Sequence, residues 1–305
     1  MAEVDLSTTV GGVTLPNPVM TASGTAGHGA ELSAFFDLTD LGAIVVKSLS
    51  PFPWEGNPAP RVHETVAGMI NSVGLQNPGV AAWREQKLPG LAATGARVVA
   101  SIWGRTVDDY RIAAEQLIGA DIVAIEVNVS CPNLEDRKKM FAHDPESAAM
   151  VIAAAKESGH QIWAKLSPNV TDIVEIAAAV QAAGGDAVTL ANTVMGLVID
   201  TSTGRPALGN GGGGLSGPAV RPVAVRAVYE VHAALPELPI VGVGGVARAE
   251  HAVEFLMAGA SAIQVGTATF ADPRASTLVL RGLAKWCGRN NISSIAELIG
   301  AAHDR

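Results

Sequence analysis

Two kinds of side chain in this 305-residue sequence could do chemistry rather than only fold. The first is a thiol. Cys131 stands in Asn128–Asn133, which reads NVSCPN, just past an apolar run. A thiol takes up a proton when its surroundings bring its pKa toward the working pH. The plainer alternative is an inert buried cysteine, because free Cys packs as a small hydrophobe. Pro132 behind it removes a backbone donor and stiffens the exit. The second kind is a pair of lysines. Lys165 closes AKLSP and Lys47 sits in VVKSLS, both among apolar neighbours. An ammonium there is costly unless it meets an anion or an acceptor, so the pair points to a site that binds negative charge or stabilises it as it forms. Otherwise both snorkel to a rim.

Other residues would hold a ligand rather than react. GVGG (Gly242–Gly245) and the pair Gly266–Thr267 each end an apolar run. Glycine lets backbone N–H groups approach an anion closely, and two such turns together suggest a phosphorylated ligand. Asn71 opens NSVGLQNPG, and Asn192 and Thr193 follow DAVTL. With Asn128 and Asn133 they make four amides and one hydroxyl, which suit a planar heterocycle carrying alternating N–H and C=O groups. Any one of them could merely cap a turn. Cys287, in the helical stretch KWCG, reads as structural, and the seven histidines show no ligand spacing with a carboxylate.

These residues need elements to position them. Eight short β-branched runs, at 18–23, 43–49, 97–103, 122–130, 161–167, 186–192, 239–245 and 262–268, alternate with Ala-rich stretches such as 106–119 and 171–184. The second of these opens at Thr171, a plausible N-cap, and ends at Gly184. Strand–helix alternation implies a parallel sheet, and eight strands close into a barrel with a filled interior. The expected fold is therefore an α/β (β/α)8 TIM barrel over 1–305 as one domain, with an open doubly wound sheet as the alternative. TASGTAG at 21–27 has the wrong spacing for a dinucleotide fingerprint. Long loops at about 50–79 and 194–216 follow strand carboxyl ends, the face where barrels build their sites. Within 122–130, alternation puts Glu126, Asn128 and Ser130 on one face and Ile125, Val127 and Val129 on the other; the polar set should point into the barrel.

Composition excludes several classes. Hydrophobic residues make up 48% and charged residues 16%, which argues for a large core and against disorder. A net charge of −8 does not suit a nucleic-acid partner. Two cysteines cannot form a disulfide framework or hold an iron–sulfur cluster. No apolar run reaches the roughly 18 residues of a membrane span and no signal peptide opens the chain, so the expected compartment is the cytoplasm.

Taken in order, NVSCPN, NSVGLQNPG, AKLSP (164–168), GLSGP (214–218), GVGG and Gly266–Thr267 resemble the dihydroorotate dehydrogenases over nearly the whole chain, from Asn17 to about Trp286. A cysteine at the base position resembles the soluble class, and GLQNPG with the 194–216 insertion resembles the NAD-linked branch more than the fumarate-linked one. The resemblance implies FMN-dependent oxidation of dihydroorotate to orotate in pyrimidine biosynthesis. Cys131 would take the C5 proton, and Lys165 would stabilise the reduced flavin. Lys47 would touch flavin and substrate. Asn71, Asn128, Asn133, Asn192 and Thr193 would hold the pyrimidine, with Ser72, Val73, Gly74 and Leu75 around its carboxylate. Ser23, Lys47, Ser48, Ser101, Asn128, Lys165, Ala191, Gly217, Gly244, Gly245, Gly266 and Thr267 would hold FMN. It further implies a homodimer, or a heterotetramer with a second subunit that carries FAD and an iron–sulfur cluster. Two features depart from the family. Ser101 stands where asparagine is usual, and the loop at 134–143 (LEDRKKMFAH) is charged and lacks the glycines of the family's lid. The competing readings are a dihydropyrimidine dehydrogenase-like flavoenzyme and a non-catalytic barrel that binds a phosphate ligand.

Overall fold

The computed structural model describes residues 4–130 and 141–303. Cys131, Asn133 and residues 134–140 of the charged loop therefore lie outside the described residues. Eight parallel strands form the central sheet: β1 (Val19–Thr21), β2 (Ile44–Val45), β3 (Val98–Ile102), β4 (Ala124–Asn128), β5 (Ile162–Lys165), β6 (Ala187–Leu190), β7 (Ile240–Val243) and β8 (Ala262–Val265). Each falls inside one of the eight runs read from the sequence. Neighbours pair in the order β1-β8-β7-β6-β5-β4-β3-β2. A parallel bridge between Met20 and Ala43 joins β1 to β2 and closes the (β/α)8 barrel. At this seam the Thr21 hydroxyl accepts from the Val45 N–H at 2.8 Å, so a side chain completes the ladder where backbone pairing is sparse.

Alternation sorts the strand residues as a barrel requires. Ile44, Val98, Ala100, Ile125, Val127, Ile162, Val188, Ile240 and Ile263 face outward into the main helix-packed cluster. Three of the outer helices start at side-chain caps. Thr106 and Asp109 form a reciprocal capping box at the start of Val107–Glu115, and Asp144 caps Pro145–Lys156. The helix Ile173–Ala182 is capped by Asp172 rather than Thr171, because the carboxylate accepts from both Val174 and Glu175 N–H. The connection from β1 to β2 carries only two 3-10 turns, Glu31–Ala34 and Leu38–Asp40, in place of a helix.

The lower interior is apolar. Val10, Val13 and Leu15 of the antiparallel hairpin Thr8–Val10/Val13–Leu15 pack with Met20, Val45, Val99, Ala124, Trp163, Ala187, Val241 and Ala262. This hairpin stoppers the N-terminal end of the barrel.

The two long insertions meet. Val62–Thr65 and Gly68–Asn71 from the first pair with Gly213–Ser216 and Val194–Gly196 from the second in one four-stranded antiparallel sheet. Glycines permit this approach: a Cβ on Gly213 would lie 2.4 Å from the Asn71 carbonyl oxygen. The sheet forms part of the wall around the barrel mouth. Among the described residues no helix is long and apolar enough to cross a membrane, and no group of three or more His, Cys, Asp or Glu is placed to hold a metal.

Candidate active site

Inside a barrel, residues two apart on a strand stack at roughly 6.6 Å. Above the apolar layer lies a polar one made by Ser101, Glu126, Lys165, Thr189 and Gln264, each at most 5% exposed. Lys47, level with Ser101, and, one step higher, Asn128, Ala191 and Gly266 reach a cavity of about 570 Å³ at the strand carboxyl ends, within the usual size range of a cofactor or substrate pocket.

The cavity gathers nearly all the residues singled out from the sequence. Ser23, Lys47, Ser48, Asn71, Ser72, Val73, Gly74, Leu75, Asn128, Lys165, Ala191, Asn192, Thr193, Gly217, Gly244, Gly245, Gly266 and Thr267 all line it. Ser101 does not. It is fully buried behind Ser48, whose hydroxyl it meets at 2.9 Å, so it touches the cavity through Ser48. Residue 130, the last described before Cys131, also lines the cavity, and its hydroxyl donates to the Lys165 carbonyl at 2.9 Å.

The amides are held in fixed orientations. The Asn128 side-chain oxygen accepts from the Ser130 N–H and from the Asn192 amide nitrogen, both at 3.2 Å. Its own amide nitrogen donates to nothing among the described residues and remains available to a ligand. Thr193 N–H donates to the Asn192 side chain at 2.8 Å, and Asn169 holds the Thr193 carbonyl at 3.0 Å. Gly74 and Leu75 are successive left-handed residues, φ 72° and 64°. Such a turn gathers adjacent N–H groups into a concavity that receives an anion.

Lys165 Nζ donates to Ser23 Oγ at 3.2 Å and lies 3.9 Å from Glu126 Oε1. Nearby, His28 has its pKa lowered, first by burial and then by the Lys47 ammonium. Cys287 is fully buried, and burial pushes its thiol pKa up, as befits a structural residue.

A glycine cradle forms another part of the wall. Gly217, Gly244 and Gly245 all have positive φ. A Cβ on Gly245 would sit 2.8 Å from the Gly217 carbonyl oxygen, and one on Gly244 2.8 Å from Ala224 Cβ. Side chains are thus excluded where a phosphate needs backbone N–H groups, and Thr267, bonded to Ser216 Oγ at 2.8 Å, adds a hydroxyl. This cradle, the cavity volume and the buried lysine together fit a flavin mononucleotide.

The model of the dihydroorotate dehydrogenase family matches residues 5–286. The chain is 48% identical to a protein of Alkaliphilus oremlandii over 98% of its own length and 99% of the relative's. It is 49% identical to one of Desulforudis audaxviator over 99% and 98%, and 46% identical to one of Geotalea daltonii over 99% of each. All three are named dihydroorotate dehydrogenase B (NAD(+)), catalytic subunit. The chain belongs to the dihydroorotate dehydrogenase family. In this family member the sequence motifs located the pocket but did not single out several of its walls. Trp54 and Asn57 lie in the first insertion, and Asn57 donates to Ser72 Oγ at 2.8 Å. Trp103 lies one step beyond Ser101 on the same strand face, a position that alternation could have flagged. Glu126 was placed inside the barrel by alternation, yet its contact with Lys165 needed the fold.

Proposed function

We propose that this chain is the catalytic subunit of an NAD-linked dihydroorotate dehydrogenase of the cytoplasm, acting in pyrimidine biosynthesis. The observation that carries the reading is the convergence of Lys47, Lys165 and the oriented amides of Asn71, Asn128 and Asn192 on one cavity with a glycine cradle in its wall. FMN would be held by Ser23, Lys47, Ser48, Asn128, Lys165, Ala191, Gly217, Gly244, Gly245, Gly266 and Thr267. When bound, it supplies a hydride acceptor.

The chain's own residues do the rest. Asn71, Asn128, Asn133, Asn192 and Thr193 orient the dihydropyrimidine ring through its alternating donors and acceptors. Lys47 and the N–H groups around Gly74 and Leu75, flanked by Ser72 and Val73, receive the substrate carboxylate. Cys131 takes the C5 proton as the hydride leaves C6, and the C5–C6 double bond of orotate forms. Lys165 places a positive charge where negative charge develops on reduction. A second subunit bearing FAD and an iron–sulfur cluster carries the electrons on to NAD, in a heterotetramer built on a homodimer of this chain.

The carboxylate contacts make the test. Mixed anaerobically with the purified yellow protein, dihydroorotate should bleach the flavin absorbance, whereas dihydrouracil, which lacks the carboxylate, should not. Equal bleaching by both would reject the assignment. A colourless protein that gains no colour with FMN would favour a barrel that binds some other phosphate ligand.

A further inference from the structure

Glu126 is a fully buried carboxylate in the middle of the barrel. Its Oε2 accepts from Gln264 Nε2 at 2.7 Å and from Thr189 Oγ1 at 3.3 Å. Its Oε1 has no hydrogen bond among the described residues and lies 3.9 Å from Lys165 Nζ. Both members of this ion pair are nearly inaccessible to water, at 6% and 0% side-chain exposure. Burying a pair this loosely held is a poor way to stabilise a core, because desolvation of the two charges offsets their attraction. An apolar layer of the kind just below it would serve the fold as well.

The placement suggests another purpose. Lys165 lies between two regions: the cavity, where it bonds Ser23, and the barrel interior, where Glu126 is anchored from the far side by β6 and β8. The two donors hold the carboxylate through one oxygen and aim the other at the ammonium. We infer that Glu126 is a positioning residue that counterbalances Lys165, so that the bound flavin feels an attenuated positive field and its reduction potential is held low. The inference rests on the reading that FMN occupies this cavity beside Lys165. A low potential suits a flavin that must hand its electrons onward to a nicotinamide rather than retain them. In a low-dielectric interior, removing the fixed negative charge that faces Lys165 favours the reduced, negatively charged flavin.

The test is the midpoint potential of FMN in the holoprotein, measured by dye-coupled reductive titration for wild type, Glu126→Gln and Glu126→Asp. Glu126→Gln should favour the reduced flavin at least tenfold, a positive shift of about 30 mV or more for a two-electron couple. Glu126→Asp keeps the charge and should stay closer to wild type than the glutamine variant does. If Glu126→Gln leaves too little folded protein, Lys165→Gln is compared with the double variant Glu126→Gln/Lys165→Gln, in which both buried charges are gone. The double variant should again show the higher potential. FMN content distinguishes the two levels of failure. A protein that binds FMN with a potential unmoved by either comparison overturns this inference and leaves the functional reading standing. A wild-type protein that binds no FMN overturns both.

Discussion

At its N-terminal end the barrel is filled by Val45, Val99, Ala124, Trp163, Ala187, Val241 and Ala262 and stoppered by a hairpin bearing Val10, Val13 and Leu15. Two residues further along, the strands present Lys47, Ser101, Glu126, Lys165, Thr189 and Gln264 to the same interior. The strands, their twist and the inward alternation are common to both ends; only the side chains change. The apolar end is held by packing, and among the described residues the Trp163 indole N–H is its one side-chain polar group without a hydrogen bond. The polar end leaves Glu126 Oε1 and Gln264 Oε1 without hydrogen bonds among the described residues and opens into a cavity. That cavity, lined by Lys47, Asn128 and Lys165, lies at the face where barrel enzymes place their chemistry.

Breaking the two ends separately should give opposite phenotypes. The largest effect is expected at the mouth. Cys131→Ala should slow flavin reduction by dihydroorotate about 10²–10⁴-fold in stopped-flow absorbance, the usual range for loss of a general base. Its FMN content and thermal midpoint should remain those of wild type. Reduction at the wild-type rate would place the base elsewhere. The plug should behave in reverse. Leu15 is fully buried, and Leu15→Ala should cost about 2–5 kcal/mol in denaturant unfolding through lost burial and a cavity. The rate of flavin reduction per folded molecule should not change. A rate that fell with stability would mean that the plug also shapes the site.

The smallest effect sharpens the contrast through pH. Folding lowers the imidazole pKa of His28, by burial and then by Lys47, and that of His251, by burial and then by the Arg221 and Arg248 guanidiniums. The native state therefore binds these protons less readily than the unfolded chain. The stability this represents is present above the ordinary imidazole value of about 6.5 and is lost as pH falls through it toward the lower folded values. The thermal midpoint of the flavin-free protein should drop between pH 7.5 and 5.5, and His28→Asn should flatten that drop. An identical pH slope in the variant would remove His28 from the account.

Much of the site was readable before any coordinates. Asn128 and Lys165 end strands, Gly244 and Gly266 directly follow others, and strand ends in a parallel barrel share one face. The N-terminal hairpin was not legible, because three-residue strands such as Thr8–Val10 carry too little periodicity to stand out. Cys131 and Asn133 rest on their motif alone.

What the sequence determined by itself is which side of each strand faces inward, since a period of two leaves one polar and one apolar face and only the barrel interior and the helix layer can receive them. What the tertiary structure decided is which distant residues meet. Gly214 pairs with Asn71 across two insertions, and Gln264 reaches Glu126 from 138 residues away. No local pattern encodes such pairs. Strand propensity says that an edge will seek a partner, and the closure of the barrel settles which partner is within reach.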